Sequence, residues 1–207
     1  MASGDEHSGP SADGALARLT AGNERFLSGQ PPRAAFRRET LADLARGQRP
    51  WATILGCSDS RVPPEWVFDA GLGELFVVRV AGNVFSPEIA GSLQYAGSHL
   101  QTPLFVVLGH EGCGAVQAAL ETKYKGARHR SRIQILVDSI LPALPEAASR
   151  LSPRARLARA VESNVRWTVR QILNTPEGQA RLAEGRMKVV GAVYEIESGR
   201  VRFFSPE

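Results

Sequence analysis

Two short segments concentrate the chemistry-bearing residues of this 207-residue chain. They are Gly56-Cys57-Ser58-Asp59-Ser60-Arg61 and Gly109-His110-Glu111-Gly112-Cys113-Gly114. Between them they hold both cysteines of the sequence, and each follows a run of apolar residues that reads as a strand. Loops at the carboxyl ends of parallel strands converge on binding sites, so distant segments can meet at one point. Two cysteines and a histidine are a soft donor set suited to tetrahedral zinc. Three protein ligands leave a fourth position for water or substrate, which favours a catalytic over a structural ion. His110 and Cys113 lie three apart at a strand-to-helix turn, a spacing that lets both face one ion.

Asp59 and Arg61 supply the second half of the chemistry. Two thiolates cancel the charge of Zn²⁺, so such a metal polarises its water less than one held by three neutral ligands. A carboxylate near that water can orient it and accept its hydrogen bond. An arginine two residues along can hold the carboxylate bidentately and keep it off the metal.

These side chains need a scaffold, and the remaining pattern provides one. Residues 51–56, Leu75–Val80 and Leu104–Leu108 read as buried strands, and Met187–Tyr194 with Arg200–Phe204 as a final pair turning at Ser198-Gly199. Helices are expected between and after them. One opens at Ser86-Pro87 with Ile89, Leu93, Ala96 and Leu100 on its apolar face; one follows Gly114 to about Leu120; one spans 133–144. A long one opens at Ser152-Pro153 with Leu157, Val161, Val165, Thr168 and Ile172 on one face. Two further helices, over 15–28 and 38–46, form an amino-terminal arm expected to pack on another surface, that of a partner subunit. The expected fold class is therefore α/β: a mostly parallel central sheet flanked by helices, with a helical arm and a C-terminal edge strand. Residues 1–12 read as a disordered tail and 13–207 as a single domain.

Composition narrows the field. The chain is 43% hydrophobic and 22% charged, ordinary for a globular domain. No apolar run approaches the ~20 residues of a membrane span. The acid-bearing start is not a secretory signal, so the expected compartment is the cytoplasm. Net charge is +4. The basic residues are scattered apart from Lys123, Lys125, Arg128, Arg130 and Arg132, read as a solvated loop face rather than a nucleic-acid site. A nucleophile elbow at Cys113 fails because Glu111 and Ala115 stand where glycines are required. The glycines at 71 and 73, or at 109, 112 and 114, complete no phosphate-binding fingerprint. A noncatalytic zinc or thiol-redox protein remains the rival from another class.

From about Ala15 to Phe204 the chain resembles the beta-class carbonic anhydrases, in C-x-D-x-R followed by H-x-x-C. That resemblance implies Cys57, His110 and Cys113 as ligands of one Zn²⁺ and Asp59 with Arg61 as a catalytic dyad. It also implies reversible hydration of CO₂ to bicarbonate and a proton by a zinc-bound hydroxide. Gln48 stands where plant-type members bind substrate oxygen, Phe76, Ala81 and Tyr95 where the family builds an apolar CO₂ pocket, and Gly114 where a backbone N–H meets bicarbonate. Ile54 replaces the tryptophan of members in which the aspartate closes onto the metal, implying the open subtype. Arg79 is shared with the closing form. Glu111 departs from the small hydroxyl residue common after the histidine, and is expected to point to solvent. The resemblance further implies a homodimer, or dimers paired into a tetramer. Hydrolysis of carbonyl sulfide or carbon disulfide on the same scaffold is the nearer alternative activity.

Overall fold

The computed structural model describes residues 9–29, 38–146 and 151–204. Five strands form one sheet: β1 (Ala52–Gly56), β2 (Leu75–Arg79), β3 (Leu104–His110), β4 (Lys188–Tyr194) and β5 (Val201–Phe204). Their spatial order is β2-β1-β3-β4-β5, all parallel except β5, which pairs antiparallel with β4. Central β1 and β3 are buried at every position, whereas the edge strands β2 and β5 are partly exposed. This is why β1 and β3 read as unbroken apolar runs: a parallel strand covered on both faces has no polar side to alternate with.

Helices cover both faces. On one, α1 (Ala12–Leu27) and α3 (Pro64–Val67) set Ala15, Leu19, Val67 and Phe68 against Ile54, Leu104, Val106 and Leu108. On the other, α4 (Pro87–Ser98) and α7 (Pro153–Leu173) set Leu93, Ala96, Val165, Val169 and Ile172 against Leu55, Phe105, Val107 and Val189. Each large aliphatic side chain buried in this way contributes ~1.5–3 kcal/mol. The amino-terminal arm is thus only half as expected. Helix α1 covers its own sheet, and its buried Asn23 donates to the carbonyls of Val67 (3.1 Å) and Gly199 (2.9 Å). Helix α2 (Arg38–Leu44) instead leaves Leu41 exposed.

Helix α1 begins three residues before the expected start because the Ser11 hydroxyl accepts from the Gly14 N–H and caps it. Of the expected tail, residues 1–8 lie outside the described residues. Helix α5 (Gly114–Lys125) runs on past Leu120 to a left-handed Gly126. Lys123 and Lys125 therefore occupy its last turn, where cations suit the helix dipole, rather than a loop. Helix α6 (Ser131–Ile140) continues as a tighter turn through Ala143, and α8 (Pro176–Ala183) follows α7. No helix among the described residues is long and apolar enough to cross a membrane.

Candidate metal centre

Strands β1 and β3 are hydrogen-bonded neighbours, with Gly56 paired to Leu108. Their carboxyl ends thus deliver Cys57 and His110 side by side, while Cys113 stands directly before α5. The two sulfurs and a ring nitrogen lie within 4.8 Å of one another, and all three residues are buried. Donors ~2.0–2.3 Å from a common ion fall inside that separation.

The donor chemistry fits a metal. His110 Nδ1 lies 2.9 Å from the Glu111 carbonyl, its natural acceptor. Donating there leaves the Nε2 lone pair facing the sulfurs. Nε2 is buried without a hydrogen-bond partner among the described residues, an arrangement that costs free energy unless something binds it. In the metal-free site the Cys113 thiol, by hydrogen-bonding to Cys57, is the main cause that pulls the Cys57 pKa well below the ordinary thiol range. Burial opposes this shift, while His110 and the Gly82 N–H support it. The same bond, with burial, pushes Cys113 strongly up. Two sulfurs thus share one proton, whose place a divalent cation takes.

Asp59 and Arg61 form the bidentate pair that their spacing suggested. Arg61 Nε donates to Oδ1 at 2.9 Å and Nη2 to Oδ2 at 2.7 Å, with the Arg61 backbone N–H adding a third bond at 3.0 Å. Chiefly through the Arg61 side-chain hydrogen bonds, the carboxyl is held far below its usual range despite partial burial. Asp59 Oδ2 lies 3.8 Å from His110 Nε2, so the carboxylate borders the donor cluster while remaining tied to arginine.

Several supporting residues escaped the sequence reading. Gly82, with φ +72°, turns its N–H onto Cys57 Sγ at 3.3 Å. Its carbonyl accepts from buried Asn164 Nδ2 at 2.8 Å, and the Asn83 carbonyl accepts from Thr168 at 3.1 Å. The available signal was a pair of polar residues inside the apolar stripe of α7. Arg79 fastens the 57–59 loop, donating to the carbonyls of Cys57 (3.0 Å) and Asp59 (2.6 Å). The Glu111 side chain is not simply solvated: Arg154 bridges it (2.8 Å) to Glu197 (2.6 Å).

Among the other expected site residues, Gly114 opens α5 directly after Cys113, and Ala81 precedes Gly82. Gln48, Phe76 and Tyr95 are placed elsewhere. Gln48 is exposed before the amino end of β1. Phe76 pairs with Thr53, four residues before Cys57, which is ~13 Å along a strand. Tyr95 stacks obliquely on Phe76 at 6.1 Å and is 46% exposed. One chain therefore separates this trio from its own metal cluster.

A protein-family model described as carbonic anhydrase matches residues 52–201. Carbonic anhydrase 2 of Mycobacterium tuberculosis is 38% identical over 183 residues, covering 88% of this chain and 87% of that protein. The carbonic anhydrase of Mycolicibacterium smegmatis is 39% identical over 191 residues, 90% of each. Among solved structures, a tetrameric beta-carbonic anhydrase from Sordaria macrospora superimposes with a TM-score of 0.72 at 26% identity, covering 79% of this chain and 85% of that one.

Proposed function

Since the chain belongs to the beta-class carbonic anhydrases, we propose that the Cys57–His110–Cys113 cluster with the Asp59–Arg61 pair is its hydration centre, completed by a second copy. The chain is a zinc-dependent carbonic anhydrase, interconverting CO₂ with bicarbonate and a proton. The sulfur analogues of CO₂ are not favoured, since the relatives at 38–39% identity are named carbonic anhydrases. Cys57, His110 and Cys113 hold the metal, which when bound supplies Lewis-acid activation of a water at neutral pH.

The remaining roles belong to the protein's own groups. Asp59 stays ionised, accepts the hydrogen bond of the reacting water and so aims its lone pair. Arg61 fixes both carboxylate oxygens and would keep Asp59 from ligating a bound metal, leaving room for water. The observation that carries this reading is the bidentate pair at 2.9 and 2.7 Å beside a buried, unpartnered His110 Nε2. Ala81 lines the near wall, and the Gly114 N–H, at the first position of α5 where the helix itself offers no acceptor, donates to an oxygen of bicarbonate.

Gln48, Phe76 and Tyr95 complete the pocket from a partner copy. This is supported by their separation from the metal cluster within one chain. The exposed Leu41, Trp66, Leu72 and Tyr95 also give a second copy apolar area to cover. The assembly is a homodimer, or dimers paired into a tetramer. The cytoplasm suits it because two unpaired thiols must stay reduced to bind metal. Residues 13–207 act as one domain.

Stopped-flow CO₂ hydration with zinc analysis tests the scheme on wild type, Asp59→Asn and Cys57→Ser. Asp59→Asn should keep its zinc and lose ~10²-fold or more in kcat/KM, the scale of a misdirected proton acceptor. Cys57→Ser should lose zinc and activity together. Full activity in Cys57→Ser refutes the metal assignment, and full activity in zinc-loaded Asp59→Asn refutes the dyad.

A further inference from the structure

A cavity of about 240 Å³ lies between α4 and the corner where α7 meets α8. Phe105, near the start of β3, and Met187, just before β4, both line it. It therefore sits at the amino end of the sheet, whereas Cys57 and His110 mark the carboxyl end. Small residues on α4 create the room: Ala90, Gly91 and Gly97 stand along the helix face that lines the slot. The floor is apolar, from Phe85, Leu93, Phe105, Ile172 and Met187.

One charged side chain lines this apolar space, and one of its nitrogens has no acceptor among the described residues. Arg181, on α8, lies across Gly97, where an added Cβ would stand 3.1 Å from its Nε. Nη2 donates to the Arg186 carbonyl at 3.2 Å and so fixes the guanidinium plane. Nε is buried and has no hydrogen-bond partner among the described residues. Burial lowers the pKa of Arg181 and Arg186 adds repulsion, while Glu184 offsets part of this. A guanidinium stays charged under all ordinary conditions. A buried, charged N–H without an acceptor is costly, and an anion beside the guanidinium offsets part of that cost. Glu177 also lines the cavity, but its Oε1 is engaged by Gln94 Nε2 at 3.2 Å.

We propose that this cavity is a second binding site, for a small organic carboxylate with a compact apolar body. The carboxylate pairs with the Arg181 guanidinium at the cavity wall, and the body rests on Phe105, Ile172 and Met187. Glu177 at the rim limits the affinity, because its charge opposes that of the ligand.

The sequence supplies its own reporter, since Met187 is one of only two methionines, the other being Met1. The test is a titration of the full-length, zinc-loaded protein labelled with ¹³C at the methionine methyls, using benzoate and its uncharged analogue benzamide. Benzoate should shift the Met187 signal saturably, with half-saturation near ~1 mM, what a ligand of about nine heavy atoms reaches. Benzamide should need ~10-fold more, the loss expected when a charged acceptor becomes neutral. Arg181→Gln should abolish that preference, and Glu177→Gln should tighten benzoate several-fold. Gly91→Leu, which fills the slot while improving helix propensity, should block both ligands. A carboxylate bound at the metal would leave Met187 unshifted and would not respond to Arg181. The assignment is overturned if Met187 shows no saturable shift, if benzamide binds as well as benzoate, or if Arg181→Gln binds benzoate like wild type.

Discussion

Replacing Asn164 with leucine separates the support of the metal centre from the stability of the fold. Asn164 sits on the buried stripe of α7, 1% exposed, and its Nδ2 donates to the Gly82 carbonyl at 2.8 Å. The N–H of the same Gly82 donates to Cys57 Sγ. Leucine keeps the branched skeleton of asparagine but has no donor, and its two methyl groups are bulkier than the amide they replace. Leaving the Gly82 carbonyl unsatisfied costs ~1–3 kcal/mol. However, Asn164 Oδ1 is buried without a partner among the described residues, and removing it returns ~1–2 kcal/mol. These two effects oppose each other. Fitting the bulkier methyls into the packed core adds ~1–3 kcal/mol, so the net loss should stay within ~4 kcal/mol, which for a chain of this length is a Tm drop of at most ~16 °C.

The metal centre has no such compensation. Gly82 holds φ +72°, and once its carbonyl is released the N–H drifts from the sulfur it supports. Losses of this kind in groups that orient a metal ligand typically reduce affinity ~10–100-fold. Calorimetry of metal-free Asn164→Leu, paired with zinc competition against a chromophoric chelator, reads the two quantities separately. Zinc affinity within about twofold of wild type, whatever the drop in Tm, would refute the reasoning and make Asn164 an ordinary core hydrogen bond.

Three other outcomes are expected. Gly109→Ala should destabilise the fold by ~1–3 kcal/mol through overpacking, because its Cβ would stand 2.5 Å from Val165 Cγ2 and 3.3 Å from Val161 Cγ1; an unchanged urea midpoint would contradict that crowding. In metal-free protein, ultraviolet absorbance should show one thiolate per chain already formed at neutral pH, since Cys113 donates to Cys57 and lowers its pKa. The sign follows from linkage: the lowered Cys57 value adds stability that drains away as pH falls through it, while the raised Cys113 value removes stability as pH climbs above the ordinary thiol range. Two protonated thiols at pH 7 would contradict it. Finally, mixing refolded Cys57→Ser chains with Gln48→Ala chains should restore about a quarter of wild-type activity, because half of random dimers carry one intact site of two under two-fold symmetry. No recovery in verified heterodimers would place Gln48 and the metal in the same chain.

What the sequence made legible follows from how far apart the interacting residues lie along it. The strands over 52–56 and 104–110 could be read because burial on both faces leaves an apolar run that no solvent-facing position interrupts. The cluster of Cys57, His110 and Cys113 was legible for a related reason. Parallel strands end on one side of the sheet, so two loops rich in metal donors had to converge. The Asp59–Arg61 pair needed only local spacing. By contrast, the four-residue α3 carries no period, and α1 over its own sheet was misread because an amphipathic helix does not reveal which apolar surface it covers.

The hydrogen bond from Asn164 to Gly82 spans 82 positions and depends on α7 packing over β3 and β4. No local pattern encodes that packing. Its trace was asparagine and threonine where the stripe of Val161, Val165 and Val169 called for more aliphatic residues. A polar residue kept inside an apolar stripe must have a partner, because burying it alone is costly. Here the partners are the carbonyls of Gly82 and Asn83, the turn that presents an N–H to Cys57. The two least core-like residues of α7's buried face thus hold the turn that supports a metal ligand, which links the packing of a core helix to the chemistry of the site.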